Sequence, residues 1–352
     1  MPHIISGLRP GWAVPGAPIV VEGVHLPVPA DGPPHVLVGS ADAHVLSASH
    51  RALRFVTPLE GEAGTVAVRI DELPGETIYL EVARAIAAGV HQVDNPAYGA
   101  DRRLYCTMSG GRDSRAAVPL FRIHADGARE PIAVDIANPT SLAAGPDDLL
   151  YISSRFDGTV HRLLGDDRAE LFATGLGTAT GLAFDANGNL FVGDRAGSIL
   201  RVSPNRQVET HASIPASVAA FHLAMGPDGC LYVAAPTLAT HDAIYRITPD
   251  RLVDVVYNGF GRPQGLAFDA AGMLYVVEAL AGAAGLYRID VTQPKPAAEL
   301  VLGAASLVGV CFDPDGGLLV ASADTVWRLD CPLQPLSAPF HGQTPTRRPA
   351  RS

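Results

Sequence analysis

Short apolar runs alternate with turn-forming residues along most of the chain, and one sequence pattern returns at a nearly constant spacing. Residues 181–195 read GLAFDANGNLFVGDR, and residues 265–279 read GLAFDAAGMLYVVEA. Each copy is an apolar run, a turn rich in Asp, Asn and Gly, and a second apolar run, which predicts two strands joined by a tight turn. Further copies occupy 141–155, 222–236 and 309–323, and a degenerate copy ends at Cys106.

Two markers keep their register in all six copies. An aromatic or leucine residue stands in each second apolar run, and these anchors are 40 to 46 residues apart: Tyr105, Tyr151, Phe191, Tyr232, Tyr275 and Leu319. An arginine follows each anchor in a third apolar run: Arg122, Arg162, Arg201, Arg246, Arg288 and Arg328. We expect these arginines to be structural, with the stem over apolar neighbours and the charged end paired or in water. Four short strands per 40 to 45 residues is the period of a β-propeller blade.

The repeat predicts an all-β fold with a six-bladed β-propeller over residues 82–331. One blade cannot bury both of its faces, so the six must close into a ring. The last repeat lacks a clear fourth strand, and we expect residues 82–89 to complete it. Residues 1–81 lack the repeat and show short alternating strands between turns, which predicts an N-terminal β-sandwich. Residues 332–352 form a Pro-rich tail.

Composition narrows the classes of partner. The 352 residues carry a formal net charge of −10 and no basic cluster before the C-terminal end, which disfavours nucleic-acid binding. No apolar run is long enough for a membrane span, so no membrane partner is expected. No signal peptide is visible, so a cytoplasmic location is expected, with a periplasmic or secreted location as the alternative if a leader was removed.

Ionisable residues recur where the first predicted strand of a repeat begins and the second ends. Because these two strands are antiparallel, both positions lie on the same face of the ring, at the mouth of its central channel. Asp94, Asp194 and Glu278 are candidate ligands for a divalent cation, Ca²⁺ or Zn²⁺. His222 and Asp194 are candidate catalytic residues, since a histidine suits general-base chemistry near neutral pH. Asp194 and Glu278 also suit a structural role as caps of hairpins.

The same face carries residues suited to holding a substrate. Arg155, Arg195 and Arg262 flank the predicted mouth and would orient an anionic or sugar-derived small molecule or stabilise an oxyanion. Gln264 and Thr180 precede the first strands of their repeats and are further candidate substrate contacts. The sequence contains no GxSxG, HExxH or phosphate-binding loop motif.

Two families resemble parts of the chain. Residues 1–81, through IISGLRPGWAVPGAPIVVEGVHL and LRFVTP, resemble the IPT/TIG domain, an immunoglobulin-like module that is usually accessory or adhesive and implies a protein contact. Residues 90–330, through SSRFDG, TGLAFDANGNLFVGD and PQGLAFDAAGMLYVVE, resemble the six-bladed propellers of the NHL-repeat and gluconolactonase type. The lactonase branch holds Ca²⁺ or Zn²⁺ at the channel mouth through Asn, Asp and Glu. This chain has Thr180 and Gln264 at two of those positions.

Two functions from different classes follow. The first is a metal-assisted, gluconolactonase-like hydrolase of sugar lactones or related esters. The second is a non-catalytic propeller that binds a ligand or a protein, with the N-terminal domain as an accessory. A propeller fold does not decide between them, because unrelated functions share the fold.

Overall fold

The computed structural model describes residues 4–71, 73, 77–110, 115–165, 168–330 and 333. All regular structure in these ranges is β-strand, and no helix in them is long and apolar enough to cross a membrane. Residues 111–114 and, apart from Leu333, the predicted tail at 332–352 lie outside the described residues.

The first nine strands lie in the region that lacks the repeat. They are β1 (Ile4–Arg9), β2 (Trp12–Ala13), β3 (Pro18–Val24), β4 (Val36–Val38), β5 (Ala41–Ala48), β6 (Ala52–Val56), β7 (Gly64–Ile70), β8 (Ile78–Val82) and β9 (Arg84–Ala88). The first eight pair in the order β1-β3-β6-β5-β4-β7-β8-β2. Alternate residues such as Ile19, Phe55 and Val68 are buried in one apolar cluster, as expected for strands with one face against a core.

The repeat region forms five separate four-stranded antiparallel sheets. Four of them use consecutive strands: β10 to β13 (Ala97–Tyr98, Leu104–Thr107, Leu120–Ile123, Arg129–Ile132), β14 to β17 (Pro139–Ala144, Leu150–Ser154, Thr159–Leu163, Ala169–Ala173), β18 to β21 (Ala179–Phe184, Leu190–Asp194, Ser198–Val202, Val208–Ser213) and β22 to β25 (His222–Met225, Leu231–Ala234, Asp242–Ile247, Val253–Phe260). The fifth joins β30 to β32 (Gly309–Phe312, Leu318–Ala321, Thr325–Leu329) to β9 from before the repeats, with Thr325 opposite Ala88. The chain is therefore an all-β propeller.

The blade count and the N-terminal domain differ from the prediction. The four remaining repeat strands, β26 to β29 (Pro263–Phe268, Leu274–Glu278, Gly285–Ile289, Ala298–Gly303), do not form a sixth separate sheet. They belong to a twelve-stranded sheet, because β2 pairs in parallel with both β8 and β29, with Trp12 opposite Glu81 and Leu302. The predicted separate N-terminal sandwich is therefore not shown: its strands continue into a propeller sheet.

The two repeat markers face each other across the second and third strands of every repeat. In β14 to β17, Tyr151 lies opposite Arg162, and its hydroxyl donates to Asp147 at 3.0 Å. Arg162 bonds the same carboxylate at 3.1 Å and Glu170 at 2.9 Å. Burial raises the pKa of Tyr151 to about 12, so the hydroxyl remains a donor. The marker arginine of this repeat is structural, as predicted, and it completes a Tyr–Asp–Arg unit.

One asparagine connects repeats at opposite ends of the sequence. The Asn95 amide donates to the Leu266 carbonyl at 2.9 Å and accepts from the Val310 amide at 2.9 Å. It therefore bonds the first strands of the last two repeats from a position just before the first repeat. These bonds, and the pairing of β9 with β32, hold the two ends of the ring together.

We expect Asn95→Ala to lower the free energy of unfolding by about 2 kcal/mol, because it leaves the Leu266 carbonyl and the Val310 amide without partners. Urea unfolding measures the change. Asn258→Ala, which alters an exposed asparagine of β25, serves as the control and should stay within about 0.5 kcal/mol of the parent protein. Equal stability of the two variants would contradict the bridging role.

Candidate functional site

The starts of the first strands surround a cavity of about 340 Å³ at the centre of the ring. Residues far apart in the chain meet there, because its lining extends from His91 to Ala323. Five of the predicted site residues line this cavity, together with Gln92: Arg155, Thr180, Arg195, His222 and Gln264.

A buried histidine–aspartate pair stands at the wall of this cavity. His222 opens β22, and its Nδ1 lies 2.6 Å from Oδ1 of Asp94, which is 128 residues earlier in the chain. Their side chains are 1% and 3% exposed. Nδ1 donates when Asp94 is ionised, and in the neutral imidazole the Nε2 lone pair is then left for another partner. This arrangement fixes the tautomer that a general base requires.

Two arginines at the cavity have no acidic partner among the described residues. Arg155 follows β15 and donates to the Gly110 carbonyl at 3.1 Å, while Arg195 follows β19 and donates to the Val218 carbonyl at 2.8 Å. Burial and then the charge of Arg195 lower the pKa of Arg155, so the two guanidinium groups act on each other. Nε of Arg195 is buried without a hydrogen-bond partner. The two guanidinium groups therefore bring positive charge to the cavity without a carboxylate bonded to either of them.

Gln92 adds a donor that the sequence analysis missed. Its Oε1 accepts from the amide and the hydroxyl of Thr107 at 3.0 and 2.6 Å, which fixes the orientation of the side-chain amide. Its Nε2 is buried without a hydrogen-bond partner, and the residue lines the cavity. The repeat pattern contains no signal for Gln92, because this residue precedes the degenerate first copy. Its position two residues before Asp94 in the sequence was the only indication.

Two of the predicted ligands instead hold loops. The carboxylate of Glu278 accepts from the amides of Gly261 at 2.6 Å, Arg262 at 2.8 Å and Leu280 at 2.7 Å. Asp194 likewise accepts from the backbone amides of Thr178 at 2.9 Å and Ala196 at 3.2 Å. These carboxylates cap the loops that flank the mouth, which was the structural alternative for both residues.

The proposed metal ligands do not come together. Asp94 is bound to His222, while Asp194 and Glu278 are bound to backbone amides. In the part of the chain that the structure describes, no three His, Cys, Asp or Glu side chains form a group able to hold a metal ion. The residues present do not fit Ca²⁺ or Zn²⁺, and the chemistry below uses no metal.

The remaining candidate substrate contacts differ in whether they line the cavity and whether their polar groups are already bonded. Gln264 is buried and lines the cavity. Thr180 also lines it, but its hydroxyl donates to the Gly193 carbonyl at 2.9 Å and accepts from the Phe221 amide at 3.0 Å, which makes it a structural link. Arg262 is exposed and does not line the cavity.

Solved structures share this fold at low sequence identity. One is an auxiliary nutrient binding protein from Bacteroides ovatus, with a TM-score of 0.55 and 12% identity over 94% of this chain and 98% of that one. A provisionally assigned gluconolactonase has a TM-score of 0.58 and 18% identity over 72% of this chain and 93% of that one. A catalytically inactive virginiamycin B lyase from Staphylococcus aureus, solved with quinupristin, has a TM-score of 0.54 and 15% identity over 89% and 99%. No protein-family model and no curated protein matches the chain.

We expect Glu278→Ala to lower the free energy of unfolding by about 2 to 3 kcal/mol, because three amides lose a charged acceptor. The control is Glu299→Ala, since Glu299 is an exposed residue that pairs with Arg288 on the outer strands. Thermal melts with and without chelator accompany both variants. A metal-dependent melting temperature that Glu278→Ala abolishes would contradict the structural role and restore the metal hypothesis.

Proposed function

We propose that the channel mouth binds an anionic small molecule. The observation that carries this proposal is the pair Arg155 and Arg195, which bond only backbone carbonyls in the described structure and line one cavity. Positive charge held half-buried without a carboxylate is costly, and a ligand anion would provide the missing counter-charge.

The other polar groups favour a hydroxylated, acidic ligand such as a sugar acid. The side-chain amides of Gln92 and Gln264 supply neutral hydrogen-bonding groups beside the two guanidiniums. A cavity of about 340 Å³ suits a molecule of this size. The nutrient binding protein whose fold covers nearly all of this chain supports a binding role.

The architecture of the proposal is a closed ring with an accessory module. We take β26 to β29 as the sixth blade, because their antiparallel order matches that of the five separate sheets. We take residues 1–81 as an IPT/TIG-like, immunoglobulin-like module, fused to the ring through β2 and available for protein contact. Residues 82–331 are then the propeller and 332–352 the tail.

The binding proposal is tested with D-gluconate as the probe and D-glucose as its neutral counterpart. We expect saturable gluconate binding by calorimetry, weakened by added salt and about tenfold weaker in Arg155→Gln and in Arg195→Gln. The control is Arg246→Gln, which removes an arginine paired with Asp254 on the outer strands and should leave affinity unchanged. Equal binding of gluconate and glucose, or unchanged affinity in both mouth variants, would contradict the proposal.

A second candidate function, ester hydrolysis, is favoured by the His222–Asp94 pair. His222 Nε2 would take a proton from water, and the resulting hydroxide would attack the carbonyl of a bound lactone. The charge of Arg155 and Arg195 would stabilise the tetrahedral oxyanion; the ring C–O bond would then break, and the leaving alkoxide would take the proton from His222. The fold of a provisionally assigned gluconolactonase supports a hydrolase-like role.

The hydrolysis candidate is tested with a lactone that carries a free carboxylate, D-glucaro-1,4-lactone, against neutral D-glucono-1,5-lactone. We expect His222→Gln and Asp94→Asn to lower kcat/KM at least a hundredfold, with no effect of chelator. Gluconate binding by His222→Gln should persist, which separates chemistry from binding. Wild-type turnover by His222→Gln would remove this candidate and leave the binding role alone.

A further inference from the structure

The β18 to β21 blade departs from the pairing of an anchor tyrosine with a turn aspartate that both of its neighbours have. Tyr151 and Tyr232 each donate to a turn carboxylate at 3.0 Å, whereas the anchor of this blade is Phe191 and has no hydroxyl. The turn carboxylate, Asp185, accepts instead from Asn189 at 2.7 Å. Nε of Arg201 forms an ion pair with Glu209 at 2.9 Å.

In the last repeat a tyrosine from elsewhere in the chain supplies the missing hydroxyl. Its anchor is Leu319, which also lacks a hydroxyl, but Tyr98 from another sheet donates to the turn carboxylate of Asp313 at 3.3 Å. Arg328 bonds the same carboxylate at 2.9 Å. In the β18 to β21 blade no described tyrosine takes this place, and the turn carboxylate accepts from the Asn189 amide instead.

The outer strand of the same blade carries a compensating polar residue. In four repeats the marker arginine lies opposite an acidic residue of the fourth strand. The residue two positions after that acid is apolar: Ile132, Phe172, Val256 and Val301. In β21 this position is His211. The edge-to-face pair Tyr151–Phe172, at 5.0 Å, is replaced by Phe191–His211, at 4.9 Å.

His211 is 6% exposed, and its Nδ1 is buried without a hydrogen-bond partner. Burial, and then the charge of Arg251, lower the pKa of His211, so the ring is neutral near pH 7. Nδ1 is therefore a buried polar atom whose hydrogen-bonding capacity is unused within the described residues.

A cavity of about 500 Å³ opens beside this histidine, between the β18–β21 and β22–β25 blades. It lies at the turns between first and second strands, on the face opposite the channel mouth, and shares no lining residue with the mouth cavity. Its apolar walls include Phe191, Leu231 and Ile247, and His211 and Arg201 supply polar groups.

We propose that this cavity is a second ligand site, which takes a small neutral ring compound bearing one hydroxyl, a phenol being the simplest example. The ring would pack on Phe191 and Ile247, and the hydroxyl would bond Nδ1 of His211. This site is independent of the anion site at the mouth.

Phenol is the probe, with toluene as the matched molecule that lacks the donor. We expect saturable phenol binding by ligand-observed NMR, with an affinity on the order of millimolar, and at least tenfold weaker toluene binding. His211→Phe copies Phe172 of the preceding blade and should weaken phenol about tenfold without weakening toluene. Phe191→Tyr restores the missing hydroxyl and should block both molecules.

Tyr151→Phe is the control, since it deletes the hydroxyl of a neighbouring blade and should leave phenol binding unchanged. Retained gluconate binding at the mouth shows that each variant is folded. Absence of saturable phenol binding, equal affinity for phenol and toluene, or unchanged phenol affinity in both His211→Phe and Phe191→Tyr would overturn the proposal and leave a cavity filled by water alone.

Discussion

The first strands of the repeats lie so close together at the centre of the ring that several of their residues have no room for a side chain. A Cβ on Gly181 would stand 2.5 Å from the Phe221 carbonyl oxygen, and one on Gly265 would stand 2.7 Å from the Cα of Gly309. These distances are shorter than real carbon contacts, so the GLAFD glycines are required by the packing. The same crowding places Asp94 beside His222 and Asn95 between two distant strands.

Whether a polar group is already satisfied separates structure from candidate function in this protein. Glu278 and Asp194 resemble metal ligands in sequence, yet backbone amides occupy their oxygens. Arg155, Arg195 and Gln92 keep buried or half-buried donors unused at the mouth. Buried polar groups in native structures are nearly always paired, so unused ones beside a cavity are the candidates for ligand contacts.

Departures from an internal repeat are informative for the same reason. The six copies of the unit can be compared with one another, and the absence of a hydroxyl at Phe191 coincides with a histidine at His211 and with an open cavity.

The N-terminal strands are attached to the propeller through β2. A two-residue strand at Trp12 hydrogen-bonds to both β8 and β29, so a propeller sheet continues into the N-terminal region.

The sequence by itself determined the all-β class, the repeat period, the propeller and the registered Tyr and Arg markers, because strand alternation and turn residues are local properties. It also placed His222, Arg155 and Arg195 at the mouth. Only the tertiary structure decided that β2 merges the N-terminal strands with a propeller sheet, that Gln92 belongs to the site, and that Glu278 and Asp194 hold loops. Hydrogen-bond satisfaction depends on partners distant in sequence, and a repeat pattern carries no information about them.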